Sequence, residues 1–87
     1  MNRILVVDDD FEIRELLELL LTNDGFQVQT YSNGYDALEA LDDGFDLAIL
    51  DVMMPEIDGI KLCRKIRDAH QIPILFLTSL KRKKKML

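Results

Sequence analysis

The sequence predicts an α/β domain built on a parallel sheet, and three observations carry that reading. Two short, unbroken apolar runs, Ile4-Leu5-Val6-Val7 and Leu47-Ala48-Ile49-Leu50, have the pattern of strands buried on both faces. Stretches with helical apolar spacing alternate with the strands. The connections are only a few residues long, which favours right-handed crossovers and parallel pairing.

The first strand stops at Asp8-Asp9-Asp10. Ile13, Leu16, Leu17, Leu20 and Leu21 then recur at spacings of three and four, predicting an amphipathic helix from Phe11 to Leu21 that Asn23-Asp24-Gly25 closes. Phe26, Val28 and Thr30 alternate with Gln27 and Gln29, as in a half-exposed strand at a sheet edge. Ser32-Asn33-Gly34 opens a second helix with Ala37, Leu38 and Leu41 inward, and Asp42-Asp43-Gly44 ends it. The third strand runs into Asp51. After Met53-Met54-Pro55 and a turn at Asp58-Gly59, a third helix carries Ile60, Leu62, Cys63 and Ile66. A fourth strand, Ile72 to Leu77, ends at Thr78-Ser79, with Pro73 among its first residues, where a missing donor does little harm. The order is βαβαβαβ, with residues 1–80 forming the domain and residues 81–87 a basic tail.

Composition narrows the function. The chain has 87 residues, enough for one small domain, and its single cysteine, Cys63, cannot form an internal disulfide. No apolar run approaches the roughly 18 residues of a membrane span, so a cytoplasmic location is expected. The formal net charge is −5, but Lys81, Arg82, Lys83, Lys84 and Lys85 supply five positive charges, which leaves residues 1–80 at −10. So acidic a body suits a cation better than nucleic acid. The basic run reads as a solvated tail.

The chemistry lies where the strands end. Parallel strands bring Asp8 and Asp9, Asp51 and Thr78 to one edge of the sheet, although they are up to 70 residues apart. Three carboxylates so crowded repel one another unless a cation sits among them, and Mg²⁺, a hard oxygen-seeking ion, is the natural occupant. Asp51 can then attack phosphorus to form an acyl phosphate, with the Thr78 hydroxyl donating to a phosphoryl oxygen. Asp10 reads as a helix cap. Met53, Met54 and Cys63 read as packing or loop residues. His70 has no cluster of ligands beside it and reads as a polar residue at a helix C-terminus.

Three stretches, Ile4-Leu5-Val6-Val7-Asp8-Asp9-Asp10, Leu50-Asp51-Val52-Met53-Met54-Pro55-Glu56-Ile57-Asp58-Gly59 and Pro73-Ile74-Leu75-Phe76-Leu77-Thr78-Ser79, resemble the signatures of response-regulator receiver domains. The wording is closest to the branch that carries a winged-helix DNA-binding domain after the receiver. The resemblance implies a flavodoxin-like, doubly wound parallel sheet. It makes Asp8 and Asp9 the metal-binding pair, Asp51 the phosphoacceptor and a metal ligand, and Met53 a metal ligand through its backbone carbonyl. It makes Thr78 the switch hydroxyl, with Ser79 the small residue beside it. The implied partner is a sensor histidine kinase, and the implied role is a signalling module of two-component transcription control rather than an enzyme.

The sequence departs from that pattern after the fourth strand: the family's fourth helix, fifth strand and fifth helix have no counterpart, so the domain is expected to be incomplete. An exposed fourth strand then favours self-association. Two rival readings follow. One is a truncated, non-signalling fragment that only folds or self-associates. The other is a dehalogenase-type phosphatase with Asp8 as nucleophile, which leaves the Asp51-Met-Met-Pro segment unexplained.

Overall fold

The computed structural model describes residues 2–77. Along the chain lie β1 (Arg3–Val7), α1 (Phe11–Asn23), β2 (Gln27–Tyr31), α2 (Gly34–Ala40), β3 (Leu47–Asp51), α3 (Gly59–Ala69) and β4 (Ile74–Leu77). The four strands form one sheet in the order β2-β1-β3-β4, and every neighbouring pair is parallel. The α/β class and the element order are those the sequence predicts: an incomplete flavodoxin-like sheet. Thr78, Ser79, the limit at residue 80 and the basic tail lie outside the described residues.

Chain reversal at β1 distributes the helices. From β1 the chain moves outward to β2 and then returns past β1 to β3 and β4. Right-handed crossovers in these two opposite directions place α1 on one face and α2 and α3 on the other. Alternation along the strands supplies both faces with apolar groups. Ile4, Val6 and Ile49 pack with Leu17, Leu21, Phe26, Val28, Leu47 and Leu77 on the α1 face. Leu5, Val7, Ala48 and Leu50 pack with Ala37, Leu62 and Ile66 on the other. Leu5, Leu50, Leu62 and Ile66 are fully buried, and each such side chain stabilises the fold by about 2–3 kcal/mol.

Several predicted inward residues face outward. On α1, Ile13 is buried and Leu17 and Leu21 pack on the sheet, but Leu16 and Leu20 are 50% and 52% exposed. The apolar stripe is wider than the sheet surface the helix meets. Ile60 is also exposed, because two residues before Leu62 means about 200° around the helix. α2 is shorter than expected: Leu41 turns extended, yet still packs against the core. β4 begins at Ile74, so Pro73 precedes the strand and only accepts, from the Ala48 N–H at 3.0 Å.

At the N-terminal ends of the strands, Arg3 joins three segments. Its guanidinium donates to Asp42 Oδ1 at 2.9 Å and Gln29 Oε1 at 2.9 Å, and stacks 4.2 Å from the centre of the Phe45 ring. The Asp42 carboxylate also accepts from the Gly44 N–H at 2.7 Å, which draws the chain out of α2 and into β3. Arg3→Ala is therefore expected to lower the thermal midpoint on the order of 5 °C, and by more than Asp42→Ala does. Melting curves of the two variants check this, and an Asp42→Ala loss equal to that of Arg3→Ala would show that the Gln29 and Phe45 contacts contribute nothing.

Candidate functional site

β1 carries its ladder one residue past the strand: the Asp8 N–H donates to the Tyr31 carbonyl at 3.1 Å, and Asp8 is buried. The turn into α1 is then fixed from within. Asp8 Oδ1 accepts from the Asp10 N–H at 2.8 Å, and Asp10 caps the helix, with its Oδ1 accepting from the Glu12 N–H at 2.9 Å. Asp9 stands exposed between them.

Asp51 is the last residue of β3 and is buried. Its Oδ1 accepts from the Met53 N–H at 3.0 Å, and the next residue, Val52, donates its N–H to the Leu77 carbonyl of β4 at 3.2 Å. The connection to α3 tightens at Glu56, whose φ of 64° lies in the left-handed region; for a residue other than glycine this costs about 1–2 kcal/mol. Asp58 then caps α3, accepting from the Lys61 N–H at 2.9 Å. Gly59 donates its N–H to the Val52 carbonyl at 3.2 Å, and a Cβ here would overlap the backbone carbonyl of Asp51. The glycine is what allows α3 to start against the end of β3.

One carboxylate oxygen each from Asp8, Asp9 and Asp51 lies within 4.8 Å of the others. They meet between β1 and β3, the point where the chain reverses direction across the sheet and where open α/β sheets bind their ligands. The model of the response regulator receiver domain matches residues 4–87. The chain belongs to that family. Among relatives, transcriptional regulatory protein CpxR of Escherichia coli strain K12 is 48% identical over 79 residues, covering 91% of this chain and 34% of its own length. The crystal structure of response regulator TrrA from Thermotoga maritima in complex with Mg²⁺-BeF superposes with a TM-score of 0.80 at 38% identity, covering 100% of this chain and 77% of that one. TrrA in complex with the histidine kinase ThkA gives 0.76 at 33% identity, with 99% and 97% covered. The receiver spans about a third of the length of the curated relatives it matches.

A receiver is a signalling module rather than an enzyme, and nothing in this one supports the phosphatase alternative: Asp8 is one of three acids at the site, not a lone nucleophile. The donor set is all carboxylate oxygen, which suits a hard divalent cation over a soft one. Its 4.8 Å spread is close to the span of about 4.2 Å between opposite ligands of an octahedral Mg²⁺. The residues present thus fit such an ion. Among the described residues no helix is long and apolar enough to cross a membrane.

The structure brings together Asp8, Asp9 and Asp51, and places Met53 beside Asp51; Thr78 and Ser79 lie outside the described residues. His70 is the C-cap of α3, and its Nδ1 lies 2.8 Å from Asp43 Oδ1, remote from the acids. Two residues at the site carry no signal that sequence reasoning used. Gly59 reads only as a turn residue, and Arg14, whose Nη1 donates to the Asp8 carbonyl at 2.6 Å, reads only as the polar side of α1.

Burial foremost pushes the Asp51 carboxyl up to about 6, against the Met53 N–H, which favours its ionised form; the Asp8 carboxylate adds to the rise. A carboxyl raised in the folded state favours folding most below its unfolded value of 3.8, and loses that advantage as pH rises through about 6. Asp42 works in the opposite sense: the Arg3 hydrogen bond holds its carboxyl low, so its contribution is present above 3.8 and lost as pH falls further. Without divalent cation, Asp51→Asn is expected to be the more stable protein at neutral pH, on the order of 1–3 kcal/mol, with the gap closing as pH falls toward about 4. Urea unfolding across that range checks this; a gap independent of pH would mean that Asp51 carries no electrostatic penalty.

Proposed function

We propose that this receiver accepts a phosphoryl group on Asp51 from a phosphohistidine of a sensor histidine kinase. Mg²⁺ is held by Asp8, Asp9, Asp51 and the backbone carbonyl of Met53. The observation that carries the reading is the meeting of three carboxylates from two strand ends at the reversal point of the sheet, with Asp51 buried among them. A solvated acidic surface would not hold a buried carboxylate there.

Each residue has a distinct part in the transfer. An Asp51 oxygen attacks phosphorus, a P–O bond forms, the P–N bond to the kinase imidazole breaks, and the departing nitrogen keeps the electron pair and takes up a proton. The Met53 N–H keeps one Asp51 oxygen directed and ionised, leaving the other for attack. Asp8, held by the Asp10 N–H, and Asp9 supply negative charge that the cation needs. When bound, Mg²⁺ offsets the charge on the transferring group and relieves the repulsion among the acids. Thr78 follows directly on Leu77 of β4, and its hydroxyl donates to a phosphoryl oxygen, shifting the receiver between two states. TrrA, solved with Mg²⁺-BeF and with a histidine kinase, supports both the cation and the partner. By the same analogy the full protein is a cytoplasmic transcription regulator with a winged-helix output domain. The receiver itself, at −10 over residues 1–80, contributes no nucleic-acid contact.

Incubation with acetyl phosphate and Mg²⁺, followed by intact-mass analysis, tests this. One labile phosphoryl group is expected on the parent, with none in chelator and none on Asp51→Asn. A folded parent that takes no phosphoryl group would instead favour the non-signalling reading.

A second reading, self-association, draws on β4. The strand is at the sheet edge, and it leaves Leu75 56% exposed on the α1 face and Phe76 42% exposed on the other. A second copy, presenting the same open edge, pairs with it strand to strand. Sedimentation over a wide concentration range is expected to show a dimer that Leu75→Lys weakens about tenfold or more, while a monomer throughout rules the pairing out.

A further inference from the structure

Arg14 lies one turn into α1, half-buried, six residues after Asp8. Its Nη1 donates to the backbone carbonyl of Asp8 at 2.6 Å, and the guanidinium carbon sits 5.6 Å from the centre of the Phe11 ring. The ring on one side and the carbonyl on the other confine a long side chain that a helix surface would otherwise leave to solvent. The carbonyl it engages belongs to the peptide plane between Asp8 and Asp9. Fixing that plane fixes the directions in which both carboxylates leave the backbone.

We infer that Arg14 is a positioning residue that preorganises the Asp8–Asp9 turn for divalent-cation binding, an inference that rests on the functional reading above. Three bonds then hold the turn: the Asp8 N–H to the Tyr31 carbonyl, the Asp10 N–H to Asp8 Oδ1, and Arg14 to the Asp8 carbonyl. The first two anchor Asp8 to the strand and to the helix start. Only the third grips the peptide that leads to Asp9, the one exposed acid of the trio. Groups that orient metal ligands in this way commonly change affinity by ten- to a hundredfold, or about that, when removed.

The sign of the effect separates positioning from charge. A positive side chain near a cation site weakens cation binding by repulsion, so removing it on Coulombic grounds alone strengthens binding. Positioning predicts the reverse. Arg14→Met keeps the length and helix preference but neither donor nor charge; Arg14→Lys keeps a donor and the charge.

The measurement is an amide NMR titration of the parent and both variants with Mg²⁺, joined to hydrogen exchange of the Asp10 amide without metal. A dispersed spectrum shows that each variant is folded. Arg14→Met is expected to need about tenfold more Mg²⁺ for half-saturation and to exchange its Asp10 amide faster, with Arg14→Lys recovering most of the affinity. Half-saturation in Arg14→Met at or below the parent's value overturns the inference, as does weakening without faster Asp10 exchange. A parent that binds no Mg²⁺ sinks the functional reading itself, so the two failures are told apart.

Discussion

Crowding of like charge at the C-terminal ends of β1 and β3 is the constraint to which the rest of this structure answers. Asp8 and Asp51 are almost wholly buried, and with Asp9 they bring three carboxylate oxygens within 4.8 Å. Burial and mutual repulsion raise Asp51, which makes the site a source of instability in the absence of a cation. The offsetting free energy comes from the apolar layers on both sides of the sheet. Leu5, Val7 and Leu50 lead straight into the acids on one face, and Val6 and Ile49 on the other. The opposite ends of the strands bear the stabilising polar contacts, where Arg3 ties Asp42, Gln29 and Phe45 together. Strand direction thus separates a stabilising end from a reactive one.

Small local devices keep the crowded end from relaxing. Asp10 and Asp58 cap the two helices that start beside the site, so neither chain segment can swing the acids apart without giving up a cap. Gly59 brings α3 against the carbonyl of Asp51, and Glu56 accepts a left-handed backbone to make the connection short enough. These choices make sense only together. A relaxed Glu56 lengthens the path, and a side chain at position 59 pushes on the residue that the loop serves to hold.

How far all this is legible in the sequence depends on the range of the interaction. Strands that end in acid, the Asn33 and Asp58 caps and the glycine turns are local, and periodicity and turn chemistry reveal them. The convergence of Asp8, Asp9 and Asp51 follows from parallel topology alone, because the ends of parallel strands must share an edge. What periodicity cannot give is the width of the surface a helix meets. Leu16 and Leu20 fit the apolar stripe of α1 as well as Leu17 and Leu21 do, yet only the latter pair reaches the sheet. Ile60 was legible in principle, since its angle from Leu62 already places it outward. Contacts such as Arg3 to Asp42 and Arg14 to the Asp8 carbonyl join a side chain to a partner chosen by the fold, and no local pattern announces them.

The edge of the sheet and the acidic site are mechanically joined. β4 has the composition of an interior strand: Leu75 is in register with Ile49 and Phe76 with Leu50, yet Ile49 and Leu50 are buried while Leu75 and Phe76 are 56% and 42% exposed. The same strand is in register with the site, since Leu77 is opposite Asp51 and its carbonyl accepts from the Val52 N–H. Anything that covers or pairs β4 therefore stiffens the backbone that flanks the phosphoacceptor position. Linkage makes that relation reciprocal: a group bound at Asp51 that alters the Val52–Leu77 bond must alter affinity at the β4 edge by the same free energy. An open interior-type strand beside a buried carboxylate is thus more than unprotected surface. It is the shortest path in this fold by which a charge change at the site can reach a partner.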